Sequence, residues 1–447
     1  MTVVLGGWFC GSHKRPLAMS QLSFLLAAWG SAGDRSVFVE LGQLLVQRGH
    51  RVTMVAQEDW GKEAQRRGLE FRGLPAGLSG EEDPLESVLQ LAARGTSGSV
   101  YATVVRKLVL PVIEPAFHIL LEEAARHDCL VAHPMALAAA FVWEKTRIPW
   151  ATLCTSPAIT PSSLLPPWPP RVRLARKRIT RALYRSCWNA LTCVASFLFD
   201  GEINRIRKRL GLAPRKHVLF SHRSTQRVLH LYSPTFFPRD PQWGPEHVLT
   251  GFPHPREPSG YSPPKDLAHW LAQHTPVWLF TLGSTVVKSF GRSFYEEAAE
   301  AVRGYPAAAI LLIGEEGNRP ARLPSNALAI PWLPHDWIMP RVSVVAHHCG
   351  MGTLASALLA GKPAVLCPCA FDQPYNAARL EELGVGKYLP RHRRKAAGLR
   401  LAMWETSTGM YARQAQIVSN KLQGEDGLGC AAIQLEELAR TKRGPAQ

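Results

Sequence analysis

The residue types best able to do chemistry lie between Val342 and Gly386. An apolar run (Val342, Val344, Val345, Ala346) leads into His347-His348-Cys349-Gly350-Met351-Gly352-Thr353, then a small-residue stretch to Ala360 and, after Gly361, a second apolar run. The order reads as strand, turn, helix, strand. Glycines 350 and 352 let backbone approach a ligand closely, and the amides opening a helix at Thr353 carry partial positive charge. The turn is expected to cradle a phosphate, with His348 as an added donor and Thr353 adding a hydroxyl. Asp372-Gln373 follow the second strand, at the carboxyl ends of parallel strands where open α/β sheets bind ligands. A carboxylate and an amide suit sugar hydroxyls; the cradle suits a diphosphate. A second carboxylate, Asp34, closes Gly30-Ser31-Ala32-Gly33-Asp34 after the apolar run Leu22 to Trp29. Facing a cleft it can take a proton from a substrate hydroxyl; its ordinary reading is a helix N-cap.

The elements that must position these groups alternate strand with helix. Leu22 to Trp29 is a strand, Val37 to Arg48 a helix stopped by Gly49, and Val52 to Ala56 the next strand. Residues 76–100 are polar and glycine-rich, a loop with one short helix. Cys129 to Ala132, Ala136 to Thr146 and Trp150 to Cys154 repeat the rhythm, leaving His133 and Ser156 at strand ends. Pro161 to Pro170 breaks regular structure. Arg171 to Arg185 then carries seven basic residues and no acid, with Val172, Ala175, Ile179 and Leu183 at helical spacing. Such a basic amphipathic helix suits an anionic membrane surface, against the alternative of an ordinary solvated helix. Gln226 to Tyr232 is a further strand, and the proline-dense Pro253 to Lys265 a linker. Beyond it, Pro276 to Leu282 is a strand ending in Gly283-Ser284-Thr285, a second small-residue turn whose amides can meet phosphate. Ala307 to Ile313 and Ala329 to Trp332 follow as strands, the latter leading into Leu333-Pro334-His335. The flat ring of Trp332 suits stacking on a nucleobase or burial in a core. Arg391 to Lys395 is a solvated basic loop, and a last helix is expected near Ala431 to Ala439.

A chain of 447 residues fits two domains of roughly 200 residues each. Its net charge of +17 and isoelectric point near 9.7 fit an anionic partner. Nucleic acid is not expected, because neither aromatic-basic interleaving nor zinc spacing is present. Nine cysteines without C-x-x-C pairs read as thiols of a reducing cytosol. Residues 1–29 mimic a signal peptide weakly, but the apolar run continues into a turn the domain needs. A cytoplasmic protein is therefore expected, with residues 1–20 a dispensable extension and Met19 an alternative start. A dehydrogenase is disfavoured because G-x-G-x-x-G is absent after the first strand.

Taken together, H-H-C-G-M-G-T, A-G-K-P and D-Q-x-x-N-A resemble the donor signature of the UDP-glycosyltransferase-like superfamily. Gly-Ser-x-Gly-Asp followed by Arg48-Gly49-His50 and Val52-Thr53 is similar to its bacterial and sterol glycosyltransferase and rhamnosyltransferase-like branch. The resemblance runs from about Leu22 to Ala439. Two positions depart from it: Cys349 stands where bacterial members usually carry glycine, and Arg35 to Val37 replace a usual V-x-P. The resemblance implies an α/β chain of two Rossmann-like domains facing across a cleft (GT-B). Their expected bounds are an extension at 1–20, an acceptor domain at 21–252, a linker at 253–265, a donor domain at 266–425, and a C-terminal helix and tail at 426–447 that pack back on the first domain. It implies an inverting hexosyl transfer with Asp34 as base and no metal, in keeping with the absence of D-x-D. Ser284, Thr285, His348, Gly350, Gly352 and Thr353 would hold the diphosphate, Trp332 and His335 the base, and Asp372 and Gln373 the sugar. Asn376 would face the same site or only cap it. His133 and Ser156 would line the acceptor pocket, although His133 equally reads as a satisfied loop histidine. No bound cofactor is implied; the co-substrate is a nucleotide diphosphate sugar, UDP-glucose or a dTDP-deoxysugar. The acceptor is expected to be an apolar alcohol, phenol or lipid, with peripheral membrane contact through Arg171 to Arg185. The alternatives are a sugar-nucleotide-binding protein without transferase activity and an epimerase of the same fold.

Overall fold

In a computed structural model the described residues are 20–74, 97–167, 173–253 and 261–441. Two parallel sheets divide them. The first has seven strands in the order β3-β2-β1-β4-β5-β6-β7: β1 (Ser23–Ala27), β2 (Arg51–Gln57), β3 (Glu70–Leu74), β4 (Cys129–Ala132), β5 (Trp150–Cys154), β6 (Val228–His230) and β7 (His247–Leu249). The second has six, β10-β9-β8-β11-β12-β13: β8 (Val277–Thr281), β9 (Ala308–Leu312), β10 (Ala327–Ile330), β11 (Val344–His347), β12 (Ala364–Leu366) and β13 (Gly386–Tyr388). Strands buried on both faces read as unbroken apolar runs, as Phe24-Leu25-Leu26 and Val344-Val345-Ala346 do. Seven helices matter for the site: α1 (Ala32–Gln47), α2 (Ala138–Thr146), α3 (Arg178–Arg209), α4 (Gly283–Val302), α5 (Met351–Leu359), α6 (Gln373–Glu382) and α7 (Gly427–Arg440).

Parallel register brings the strand ends level. Ala27 of β1 pairs with Ala132 of β4, and Ala132 with Thr152 of β5. In the second sheet His347 of β11 lies opposite Thr281 of β8 and Leu366 of β12. The turns that follow these six strands therefore emerge along one edge of each sheet.

The edges are held against each other by apolar packing and by α6. Tyr232, Phe236 and Phe252 of the first half share one buried cluster with Val345, Ala377 and Leu380 of the second. Along α6, Arg379 donates to the carbonyls of Phe236 and Thr235, Tyr375 donates to Pro167, and Glu382 accepts from Leu174 N at 3.4 Å and pairs with Arg176 at 3.3 Å. Helix α7 lies on the first sheet, where Leu428, Ala431 and Leu435 pack with Phe24 and Leu41. Its Glu436 binds Arg48 at 2.6 Å and His50 at 3.0 Å. Although burial opposes ionisation, hydrogen bonds from His50 and Arg48 bring this carboxyl down to about 2.

Several expected boundaries shift. Helix α1 starts at Ala32, five residues before Val37, because Ser31 and Asp34 form a reciprocal capping box. Strand β10 ends at Ile330, not Trp332, since Pro331 has no amide to continue the ladder. The basic helix begins at Arg178 instead of Arg171. Residues 173–176 are irregular, with Ala175 N bonded to Leu164 O. Trp168, Arg171, Val172, most of the 76–100 loop, residues 254–260 of the linker, and residues 1–19 and 442–447 of the two ends lie outside the described residues.

Candidate active site

Three turns of the first sheet converge on Asp34. The residue sits in the first turn of α1, three places inside the cap position expected for it, which Ser31 takes. Its Oδ2 accepts from Ser31 N at 2.9 Å and Ser31 Oγ at 2.8 Å, and its Oδ1 from Thr155 Oγ1 at 2.6 Å. A carboxylate with donors on both oxygens has one orientation; Oδ2 already accepts twice, while Oδ1 keeps a second lone pair. Gly30, at φ +106°, makes room: a Cβ there would lie 2.6 Å from Asp34 Oδ2. His133, after β4, is buried with its Nε2 3.9 Å from Asp34 Oδ1. Its Nδ1 accepts from Met135 N at 3.1 Å, so the ring proton belongs on Nε2 and points at the carboxylate. Burial holds this imidazole below the usual histidine range, and Asp34 partly offsets that. Trp29 stacks on it at 5.8 Å. Ser156, after β5, is buried and caps the short helix at 157–159.

The second sheet presents its own three turns. His348 follows β11, and two glycines give it space. A Cβ at Gly283 would fall 2.4 Å from His348 Cε1, and one at Gly350 2.3 Å from His348 Nε2. Burial, with His335 nearby, pushes His348 down to about 3, and its Nδ1 is buried without a partner among the described residues. Near neutral pH it is an uncharged imidazole with hydrogen-bonding capacity unspent. His347 is also pushed to about 3 by burial, and its Nδ1 accepts from Cys349 N. Gly350 has an ordinary φ of −67°, so its lack of a side chain is needed for the space that His348 fills and not for its backbone conformation. A Cβ on Gly352 would meet nothing within 4 Å. Thr353 is buried in the first turn of α5. Cys349 occupies the left-handed region at φ +67°, which costs a residue with a side chain roughly 1–2 kcal/mol. The position that departs from the bacterial pattern is thus one whose backbone favours glycine.

Asp372 and Gln373 open α6 after Phe371, which is left-handed too, at φ +56°. Asp372 Oδ2 accepts from Asn376 Nδ2 at 3.0 Å, and Ser156 of the first sheet lies close enough to favour its charged form. Burial raises its carboxyl above the usual aspartate range; Ser156 and Asn376 oppose this and the charge of Asp34 adds to it. Asn376 also donates to Cys349 O at 2.9 Å and so ties the His348 turn to the Asp372 turn. Gln373 is buried, with Oε1 accepting from Cys369 N and Ala370 N at 2.8 and 3.0 Å. Its carbonyl shapes its own loop, which leaves only the amide nitrogen for a ligand. Gly283-Ser284-Thr285 form the first turn of α4, not a separate turn; Ser284 is exposed, and the side chain of Thr285 lies outside the described residues. Trp332, 66% exposed, is no core residue and borders an apolar groove of about 590 Å³ with Tyr261, Trp270 and Ile330. His335 starts the short helix 335–338, lowered to about 4 by burial.

Ser31 and Thr155, which hold Asp34, were not among the expected site residues. Ser31 is legible in the S-x-x-D spacing of a capping box, whereas Thr155 lies 121 residues from its partner and carries no local signal.

The C-terminal domain of erythromycin biosynthesis protein CIII-like proteins matches residues 307–425. Over 437 residues the chain is 30% identical to O-mycaminosyltylonolide 6-deoxyallosyltransferase of Streptomyces fradiae, covering 93% of this chain and 97% of that one. The chain belongs to the UDP-glycosyltransferase superfamily. This glycosyltransferase is also 27% identical to the sterol 3-beta-glucosyltransferase of Eremothecium gossypii, where 94% of it spans about a third (34%) of the relative's length. Among solved structures, the glycotransferase of kitacinnamycin superposes with a TM-score of 0.70 at 19% identity, covering 94% of this chain and 99% of that one. The glycosyltransferase VinC, solved in complex with dTDP, does so at 0.64 and 17%, covering 95% and 100%. The two facing sheets of this glycosyltransferase are the GT-B fold.

Proposed function

We propose that this glycosyltransferase moves a hexose or deoxyhexose from a UDP- or dTDP-sugar to the hydroxyl of an apolar alcohol, phenol or lipid, with inversion and without a divalent metal or bound cofactor. The observation that carries the reading is Asp34, braced on both oxygens by Ser31 and Thr155, with Ser156 beside it close to Asp372 of the other sheet. In the step, the acceptor hydroxyl gives its proton to Asp34 as its oxygen bonds to the anomeric carbon. The bond from that carbon to the diphosphate breaks, and its electron pair leaves on the phosphate oxygen. His133, pointing its Nε2 proton at Asp34, steadies the carboxylate; with Ser156 it lines the acceptor pocket. Charge growing on the diphosphate falls to His348, Ser284, Thr285 and the amides from Gly350 through Gly352 to Thr353, donors fixed before the reaction begins. Asp372, with the free nitrogen of Gln373, holds the sugar hydroxyls, and Trp332 with His335 the base. The activities for which the relatives are named, a deoxyallosyl and a sterol glucosyl transfer, support an apolar acceptor; the dTDP bound to VinC supports a pyrimidine diphosphate donor. The enzyme would act in the cytoplasm, with peripheral membrane contact through residues 171–185; among the described residues no helix is long and apolar enough to cross a membrane.

Isothermal titration with UDP, dTDP, GDP and NAD, without added metal, tests the donor site. One pyrimidine diphosphate should bind, and His348→Ala should weaken it by about tenfold or more, the worth of one hydrogen bond to a charged group. No binding by folded protein would overturn the reading. The anomeric configuration of the product, read by NMR, tests inversion.

A further inference from the structure

Among the described residues, nothing covers one face of helix α3. Trp188, Ala195 and Phe199 turn it toward the protein. On the opposite side Ile179 is 84% exposed, Leu183 58%, Val194 56% and Phe197 89%. At 100° per residue these four fall within about 60° of one another. Ala182, Ser186, Ala190 and Cys193 fill the gaps between them, so the stripe holds no charge over five turns and runs for about 27 Å. No acidic residue occurs between Glu144 and Asp200. At the amino-terminal end and along one flank stand Arg173, Lys177, Arg178 and Arg185, all exposed. This is the make-up of a helix that lies in a membrane interface, apolar side chains immersed and guanidinium groups at the headgroups.

We propose that the exposed face of α3, from Ile179 to Phe197, is a docking surface for an anionic lipid bilayer. The proposal deepens the membrane contact suggested above and relocates it, from a helix over 171–185 to a face that continues three turns farther. Charge selects the occupant. A second copy of a +17 chain, seated face to face, would bring two arginine-rich flanks together, whereas anionic headgroups neutralise them. The face also begins beside the helix that borders the site, at its end about 15 Å from Asp372. Residues 174–176, just before α3, contact Glu382 on α6, the helix that Asp372 and Gln373 open. A docked enzyme would hold the end of its cleft near the lipid, where an apolar acceptor is concentrated.

The test needs no turnover, so its failure is separable from failure of the transferase reading. The full chain is floated with vesicles of phosphatidylcholine alone or mixed with phosphatidylglycerol, at low and high salt. Binding is expected only to the anionic vesicles, weakening with salt. Phe197→Glu combined with Ile179→Glu should lower the partition coefficient at least about tenfold, with the circular dichroism spectrum and nucleotide titration unchanged. Arg178→Glu combined with Arg185→Glu should abolish the preference for anionic lipid. Absence of binding by the unaltered chain overturns the proposal, as does binding that the Phe197 and Ile179 pair leaves intact. Self-association in light scattering that the same pair abolishes, without vesicle binding, assigns the face to a second copy instead.

Discussion

The two sheets share one strand order around their centres, and in each the same three strand ends reach the cleft, yet they are furnished differently. After the first, fourth and fifth strands of one stand Asp34, His133 and Thr155-Ser156; after the corresponding strands of the other stand Ser284, His348 and Asp372. On the first side polar atoms are already spoken for: Asp34 has three donors and His133 a fixed tautomer. On the second side capacity is left open, with a buried Nδ1 on His348 and helix amides facing the cleft, inside a shell of glycine and left-handed backbone. Handling a proton at one atom calls for a group that cannot turn. Receiving a charge spread over phosphate oxygens calls for donors kept in reserve.

If that division is right, substitutions on the two sides separate rate from donor affinity. Asp34→Asn should lower kcat by about a thousandfold, the usual scale for a general base, with the nucleotide dissociation constant unchanged in calorimetry; a large loss of nucleotide affinity would erase the distinction. Gly350→Ala should do the reverse. Its methyl would lie 2.3 Å from His348 Nε2 and displace the ring, so donor binding should weaken about tenfold, as for His348→Ala. Combining it with His348→Ala should cost little more, a non-additivity that a merely disturbed fold would not give. The mildest case is Thr155→Val, which removes one donor from Asp34 and keeps the shape. A five- to tenfold fall in kcat, about 1–1.4 kcal/mol, with donor affinity unmoved would show that bracing the base matters.

What could be read in the sequence follows from range. Cys129–Ala132 and Trp150–Cys154 are legible to the residue because short apolar runs between turn residues have few other ways to fold. The candidate site was legible where it is built from consecutive residues, as in 347–353 and 372–373. It was not legible where distant segments meet. Nothing local pairs Thr155 with Asp34, or marks Gly283 as the neighbour of His348. Gln373 reads as a ligand group from its type, but its carbonyl is taken by its own loop. The basic segment misled by period: Val172 to Leu183 fits a helix, but Ala175 is pinned to Leu164 and the helix forms only from Arg178, so its open face lies farther along the chain.

Helix α6 joins two tasks in ten residues. Its start carries Asp372 and Gln373, proposed to hold the sugar, and Tyr375, Arg379 and Glu382 seat it on Pro167, Leu174, Arg176 and the carbonyls of residues 235–236. In recombinants that exchange whole halves at the linker, a transplanted donor half would carry these three side chains to a scaffold lacking their counterparts. The sockets at Pro167, Leu174, Arg176 and residues 235–236 travel with the first half, so the workable unit of exchange is the second half together with those residues.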